Sequence, residues 1–246
     1  STVFLTISFL FLFWTPFHSD TEVANLARIQ SGLLCSCILI WRYFKHRLAF
    51  ILGGLLLGIS VLLKPNIVGV PVTLAIVWFF RGRYNKLLFV TLGAFLGGLV
   101  SLAYSSTYFG SLACWANWFQ ALVDLQQNPL PVGYNNLSFV RLIEHYFEID
   151  ISIPILLGLL FSFILACWLA KKRRAKIYSI LPESQLMEDL LGMGAGLVMI
   201  FMSFKVVWDH YLLLLAPVLL ALISPVEIRN QISEMKINLP TQLLTG

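Results

Sequence analysis

Charged residues are scarce in this sequence of 246 residues. Only 12% are Asp, Glu, Lys or Arg, about half the usual share in a soluble globular domain, while 59% are hydrophobic. The apolar character continues along the whole length without a break, which excludes a soluble domain of appreciable size. We therefore predict one membrane domain that covers residues 1–246.

The signatures of several chemistries are also absent. The four cysteines show neither a metal-ligand spacing nor a disulfide framework. The sequence contains no phosphate-binding Gly-rich loop, no Ser nucleophile elbow, no HExxH motif and no CxxC pair. We expect no metal site and no cofactor.

The beginning of the sequence lacks an initiator Met and a signal-peptide pattern. An apolar run over residues 3–14 opens the chain, without a basic segment before it or a small-residue cleavage site after it. We expect that the sequence begins partway through a longer protein, which makes it an N-terminally truncated piece.

Apolar runs of nearly membrane-spanning length recur along the chain. About 20 apolar residues cross a bilayer, and shorter runs reach that length when flanking Lys and Arg side chains extend to the headgroups. We predict an all-α, polytopic bundle of about eight transmembrane helices, at 2–17, 29–41, 48–63, 66–80, 87–109, 151–170, 190–204 and 211–226. Residues 105–150 form the long segment between two spans, and its aromatic run predicts a helix that lies in the membrane interface.

The basic residues indicate the orientation of the bundle. If the 42–47 loop is cytoplasmic and each helix crosses once, thirteen of the 17 Lys and Arg residues fall on the cytoplasmic side. The other four, Arg28, Lys64, Arg141 and Lys205, fall outside with seven acidic residues. Because the basic residues lie in short loops and not on one face with aromatics, we expect no nucleic-acid partner.

Polar residues near the outer boundary are candidates for function, because such groups are costly at membrane depth. Lys64 and Asn66 flank the proline that ends one helix, and Lys64 could bind a phosphate or anchor the helix in the headgroups. Farther along, Asn136, Ser138 and Arg141 could contact a phosphate or form a polar turn with a surface arginine. Asn136-Leu137-Ser138 also matches the N-glycosylation sequon, a pattern that has many false matches.

A second polar group lies between the last two predicted spans, at Lys205, Trp208, Asp209, His210 and Tyr211. The histidine can exchange a proton near neutral pH, and the neighbouring carboxylate can tune it. Alternatively, Asp209 caps the last helix while the two aromatic residues anchor it at the interface.

Four short motifs occur in order along the chain: Leu62-Leu63-Lys64-Pro65, Arg81-Gly82-Arg83, Asn136-Leu137-Ser138 and Trp208-Asp209-His210-Tyr211. Their order and spacing resemble glycosyltransferase family 87, whose members use polyprenyl-phosphate sugars and have the GT-C membrane fold. The resemblance implies inverting transfer of a sugar, such as the hexose mannose, from a polyprenyl-phosphate donor to a lipid or glycan acceptor. It places the chain in a bacterial plasma membrane with an extracytoplasmic active site.

The resemblance also implies roles for single residues. His210 would lie beside the reacting groups, and Asp209 would orient it. Lys64, Arg141 and Lys205 would hold the donor phosphate, and the substrate-binding residues would also include Asn66, Asn136, Ser138, Trp208 and Tyr211. Enzymes of this fold take their catalytic base from a first outer loop, which here would precede residue 1, so this piece alone would be inactive.

A different class of function is a transporter or flippase of a lipid or small solute. Such a protein would have two related halves and ionisable residues near the midplane. The sequence shows no internal repeat, and its polar residues gather at one boundary, which favours an enzyme at the interface.

Overall fold

The computed structural model describes residues 26–129, 136–174, 182–216 and 218–219, without the side chains of 173, 174, 182–184, 209 and 210. These ranges contain no β-strand, and the all-α prediction is confirmed for them. Their α-helices are α1 (Ala27–Tyr43), α2 (Arg47–Leu63), α3 (Gly69–Phe80), α4 (Tyr84–Phe109), α5 (Ala113–Gln127), α6 (Phe139–Phe147), α7 (Ser152–Arg174) and α8 (Pro182–Ser203). Two 3-10 helices, Pro65–Ile67 and Asp209–Leu215, accompany them.

Three of these helices are long and apolar enough to cross a membrane: Tyr84–Phe109, Ser152–Lys172 and Gln185–Ser203. Two further apolar helices, Arg47–Leu63 and Pro65–Phe80, are shorter. A 17-residue helix such as α2 measures about 25 Å at 1.5 Å per residue, less than the roughly 30 Å of a hydrocarbon core. The predicted span at 2–17 and most of the one at 211–226 lie outside the described residues.

Helices α2 and α4 pack backbone to backbone through glycines. A Cβ added to Gly54 or Gly58 of α2 would overlap the carbonyl oxygen of Val90 or Ala94 in α4. Gly93 and Gly97 of α4 meet the α2 backbone in the same way. Because both contact positions advance together along the two helices, α2 and α4 run parallel. Small residues four apart on each helix permit this approach, as in membrane helix pairs.

Helices α3 and α8 form an equally close antiparallel pair. The Thr73 hydroxyl donates a hydrogen bond of 2.7 Å to the carbonyl of Gly192, and a Cβ on Gly69 would overlap the carbonyl oxygen of Gly196. Trp78, near the end of α3, lies against Asp189, near the beginning of α8. Helix α8 therefore runs in the same direction as α2 and α4.

Helix α1 is antiparallel to α2. Near its end, the Cys37 thiol donates to the carbonyl of Gly53 at 3.1 Å, while near its beginning Gln30 reaches the last turn of α2. The short connections 44–46, 64–68 and 81–83 thus lie at alternating ends of the bundle. This alternation is the arrangement that single crossings require.

Apolar side chains cover the outside of the bundle as well as its interior. The central part of α7 buries none of its residues, and Ile153 and Phe161 are 69% and 67% exposed. Helix α4 likewise exposes Phe95 and Val100. Such continuous apolar surface is uncommon on a soluble monomer but matches helices that face lipid.

The segment predicted as a long interhelical stretch from residue 105 begins later, because α4 continues to Phe109. Its hydroxyl groups do not end the helix, since Thr107 donates back to the carbonyl of Ala103 at 3.0 Å. Gly110, with a φ of 71°, ends it instead. Beyond it, α5 confirms a helix in the predicted aromatic run, and α6 is a second short helix that the sequence analysis missed.

Adjacent glycines of α4 provide a matched test of the α2–α4 contact. Gly97 abuts the backbone of Leu55, whereas Gly98 has only a Leu62 methyl group in ordinary contact. We expect Gly97→Ala to lower the free energy of unfolding by about 1–3 kcal/mol, because backbone atoms must separate. Gly98→Ala should leave it unchanged or raise it by up to about 1 kcal/mol. Unfolding in detergent micelles measures both, and equal effects would show that the contact is not tight.

Candidate functional site

The chain after α8 pairs with the segment before α6. Asn136 and Trp208 form an isolated antiparallel bridge, and Leu137 N–H donates to the Val207 carbonyl at 2.7 Å. The Asn136 side chain closes this contact: its Oδ1 accepts from the backbone N–H groups of Ser138 (3.1 Å) and Val207 (3.0 Å), and its Nδ2 donates to the carbonyl of Lys205 (2.9 Å). We call residues 136–150 with 203–208 the Lys205 junction.

Ser138 connects the junction to helix α6. Its hydroxyl accepts a hydrogen bond from the N–H of Arg141 at 3.1 Å, which makes it the N-cap of α6, and donates to the carbonyl of Phe204 at 2.5 Å. Both Ser138 and Asn136 are buried. The structure thus gives the two polar residues of the sequon an architectural role, with the Asn136 amide turned toward the backbone.

The cations of the junction are paired with carboxylates. The Lys205 ammonium lies 2.8 Å from Glu144 Oε1 and 2.7 Å from Asp150 Oδ2, and Arg141 Nη1 lies 2.8 Å from Glu144 Oε2. The hydrogen bond from Lys205, assisted by the N–H of Ser152, lowers the pKa of Asp150 to about 2. The same ammonium, despite the opposing effect of burial, lowers the pKa of Glu144.

Lys64 and Tyr211 meet at the same end of the bundle. Lys64 follows α2, and its ammonium lies 4.2 Å from the centroid of the Tyr211 ring. Tyr211 is buried, and its N–H donates to the Trp208 carbonyl at 3.0 Å, which ties the aromatic platform to the Lys205 junction. A cation over an aromatic face is attracted by the electron-rich ring.

Buried polar side chains gather at the end of α2. Gln30 Nε2 donates to the carbonyls of Ser60 (3.0 Å) and Lys64 (2.9 Å), and the Ser60 carbonyl also accepts from the N–H of Lys64 at 3.4 Å. Within the described residues, no hydrogen-bond partner is present for Gln30 Oε1, the Ser60 hydroxyl or either polar atom of Asn66. Gln30 and Ser60 are fully buried and Asn66 is 4% exposed. We call Gln30, Ser60, Lys64, Asn66 and Tyr211 the Lys64 site.

The predicted site residues therefore fall into two neighbouring groups at one end of the bundle. Lys64, Asn66 and Tyr211 belong to the Lys64 site, and the Lys205 junction contains Asn136, Ser138, Arg141, Lys205 and Trp208. Asp209 is the first residue of the 3-10 helix Asp209–Leu215, for which Trp208 is the N-cap position. The side chains of Asp209 and His210 lie outside the described residues, and their catalytic roles stay predictions.

Sequence reasoning missed a charge cluster at the opposite end. Glu188 Oε1 and Oε2 lie 2.9 Å from Arg81 Nη2 and 2.6 Å from Arg83 Nη2. Asp189 accepts from Trp78 Nε1 at 2.8 Å and from the Lys86 ammonium at 2.5 Å. The available signal was the adjacent Glu188 and Asp189 at the start of an apolar run, opposite in sign to the 81–86 loop. Fourteen residues of α8, about 21 Å, separate Asp189 from Ser203.

Comparison with known proteins gives no assignment. No protein-family model matches this chain, and no curated protein or solved structure does. The resemblance to glycosyltransferase family 87 therefore stays a prediction that rests on four short motifs.

Acidification should open the Lys205 junction. Because Asp150 and Glu144 have lowered pKa values in the folded protein, their stabilising effect is complete above the ordinary carboxyl pKa of about 4 and is lost as the pH falls toward 2. Hydrogen-exchange protection of the Leu137 amide, corrected for intrinsic exchange, should decrease over this range. Glu144→Gln should weaken the pH dependence, whereas Glu148→Gln should retain it; unchanged protection at pH 2 would contradict the assignment.

Removing the Asn136 side chain should destabilise the protein, because this buried amide makes three hydrogen bonds to backbone groups. Asn136→Ala leaves two backbone N–H groups and one carbonyl without their partner, which predicts a loss of about 3 kcal/mol in the free energy of unfolding. Leu137→Ala is the control, because Leu137 is 54% exposed and should cost less than about 1 kcal/mol. Denaturant unfolding in micelles compares them, and similar losses would reject the role of the amide.

Proposed function

We propose that this chain is a polytopic membrane protein that transfers a sugar from a polyprenyl-phosphate donor to a lipid or glycan acceptor. The donor would bind at the end of the bundle that contains Lys64. Three helices of spanning length, the alternating directions of α1 to α4 and the outward-facing apolar side chains support insertion with about eight crossings. The shorter helices α2 and α3 would be completed by flanking basic residues at headgroup depth. The orientation proposed from the basic loops places the Lys64 end outside a bacterial plasma membrane.

The observation that carries the enzymatic proposal is the Lys64 site. A buried polar group without a partner is costly, so several of them at one place indicate a site for a polar ligand. The amide of Asn66 and the free oxygens of Gln30 and Ser60 can bind hydroxyl groups of a sugar. Lys64 adds a cation beside these groups, with its ammonium over the Tyr211 ring.

The proposed reaction needs a cation, an acceptor and a base. In an inverting transfer the acceptor oxygen forms a bond to the anomeric carbon while the bond from that carbon to the phosphate oxygen breaks. The electron pair leaves with polyprenyl phosphate, and Lys64 would stabilise the added negative charge. The acceptor proton passes to a base, which the family resemblance places before residue 1, and His210, oriented by Asp209, would lie beside the reacting groups. This chemistry requires neither a metal nor a cofactor.

Lys205 and Arg141 would serve this site indirectly. Each is bonded to Glu144, so their charges are balanced within the Lys205 junction. By holding residues 204–208 in place, the junction positions Tyr211, whose N–H donates to the Trp208 carbonyl, beside Lys64. We assign donor-phosphate binding to Lys64 because it lies beside the buried polar atoms of the Lys64 site. Asn136, Ser138, Arg141 and Lys205 would support that site.

Transport of a lipid or solute is the competing proposal. It needs a polar route between the two ends of the bundle. Along the described part of α3 and α8, the Thr73 hydroxyl bonds the Gly192 carbonyl and the Gly69 backbone meets that of Gly196, and this close packing favours an interfacial enzyme.

Transfer should depend on the charge of Lys64. In membranes that contain the full-length protein, we expect Lys64→Gln to reduce sugar transfer from a radiolabelled polyprenyl-phosphate mannose at least about tenfold. His210→Ala should also reduce it at least about tenfold, because a group that can exchange a proton beside the reacting atoms is lost. Lys171→Gln, an exposed lysine near the opposite end, is the matched control and should leave transfer unchanged.

Two outcomes would reject the proposal. Near-normal transfer in both Lys64→Gln and His210→Ala would remove the assigned site. Absence of transfer in the unaltered full-length protein, combined with movement of a fluorescent lipid across vesicles, would favour the flippase.

A further inference from the structure

Helix α6 has two faces whose surroundings are already described. On the face toward the bundle, Val140 is buried and Glu144, one turn later, bonds the Lys205 ammonium at 2.8 Å. Beside it lies a polar face with Arg141, which is half-buried, and His145, which is exposed. These two faces leave about a third of the helix circumference for other contacts.

The third face of α6 is apolar and exposed. Phe139, Leu142 and Tyr146 follow one another at spacings of three and four residues, so they form one row, which we call the α6 stripe. They are 39%, 40% and 71% exposed. At 3.6 residues per turn, the stripe points roughly 110° away from the polar face. An apolar stripe beside a polar face is typical of a helix that lies in the plane of a membrane interface.

The neighbouring helices place α6 at the boundary of the membrane. Four residues, 148–151, separate its last residue, Phe147, from Ser152, where the spanning part of α7 begins. Even fully extended, that connection covers about 17 Å. On the other side, Glu144 bonds Lys205, two residues beyond the end of the spanning part of α8 at Ser203. Helix α6 is thus held between the ends of two spans.

The connection from α6 to α7 indicates which surroundings cover the stripe. Ile149 is 57% exposed and Ile153, in the first turn of α7, is 69% exposed, whereas Asp150 between them reaches back to Lys205 at 2.7 Å. Apolar side chains therefore stay on the outside from the end of α6 into α7. Because α7 exposes apolar side chains along its whole spanning part, as a helix in contact with lipid does, lipid is the covering that continues onto α6.

We propose that α6 binds the lipid surface at the Lys64 end of the bundle. It lies in the headgroup region, with the α6 stripe against the acyl-chain boundary and Arg141 and His145 toward water. Tyr146 suits this depth, because its ring is apolar and its hydroxyl reaches the headgroups. Since Glu144 of the same helix bonds Lys205, the lipid contact holds the Lys205 junction at a fixed depth. The proposal rests on the insertion of α7 and α8, and not on sugar transfer.

The accessibility of nitroxide labels, with the chain in lipid nanodiscs, tests this proposal. A p-acetylphenylalanine placed singly at Leu142, Tyr146 or His145 and coupled to a hydroxylamine nitroxide leaves the native cysteines unlabelled. Oxygen concentrates among acyl chains, and a nickel chelate stays in water. We expect the ratio of oxygen to nickel collisions to be several-fold higher at Leu142 and Tyr146 than at His145. A label at Phe161, exposed on α7, gives the reference for lipid contact.

A charge on the stripe gives a matched pair of variants. In the chain labelled at Tyr146, Leu142→Glu should raise nickel collisions several-fold, because a carboxylate is costly at the acyl-chain boundary. His145→Glu, on the polar face of the same helix, should leave them unchanged. Equal effects of the two variants would overturn the proposal.

The labels also separate the other possible coverings. Nickel access at Leu142 and Tyr146 as high as at His145 would place the stripe in water and overturn the proposal. Protection from both reagents, with dipolar broadening between copies of the Tyr146 label, would show a second copy on the stripe and also overturn it. A Phe161 label open to nickel would reject insertion itself, whereas absence of sugar transfer leaves all of these expectations unchanged.

Discussion

Close contact between helix backbones at glycine is the constraint on which this bundle depends. Gly54 and Gly58 let the backbone of α2 contact that of α4, and Gly69 with Gly196 does the same for α3 and α8. Each contact permits little sliding, because a shift by one residue would bring a side chain into the space of a missing Cβ. The axial register within each pair is thereby set, and with it the level of the polar side chains that these four helices carry.

The register explains why polar residues gather at two ends and not along the middle. Lys64 follows the last turn of α2, and Lys205 follows the last turn of α8, so parallel helices carry them to one level. The beginnings of α4 and α8 meet at the other level, where Lys86 finds Asp189. The chemistry of the two ends differs. One end has buried polar atoms that lack a hydrogen-bond partner within the described residues, beside a lysine on an aromatic ring. The other has the ion pairs of Arg81, Arg83 and Lys86 with Glu188 and Asp189.

Apolar runs predicted much of the helical structure, but they predicted few of the partners that polar side chains contact. The bounds of α2 and α4 agree with the predicted runs within about three residues, because long uninterrupted stretches have few alternatives. Lys205 was predicted as a phosphate ligand, whereas it contacts Glu144, 61 residues away. Sequence alone could not show that contact, since the choice between a ligand and a carboxylate depends on where α6 is placed. Ser138 illustrates the same limit: only the structure distinguishes a helix cap from a sugar contact.

The pairing of α3 with α8 has a consequence for the order of assembly during synthesis. The α2–α3–α4 unit closes within about 60 residues, whereas Glu188 is made 105 residues after its partner Arg83. At about 5–20 residues per second, a ribosome needs roughly 5–20 s to cover that interval. During this delay the arginines and Lys86 lack their carboxylates, and a nascent chain would keep them at the headgroups. Helix α8 then packs against the α3 face of a unit that has already formed. The ion pairs of Glu188 and Asp189 therefore form last.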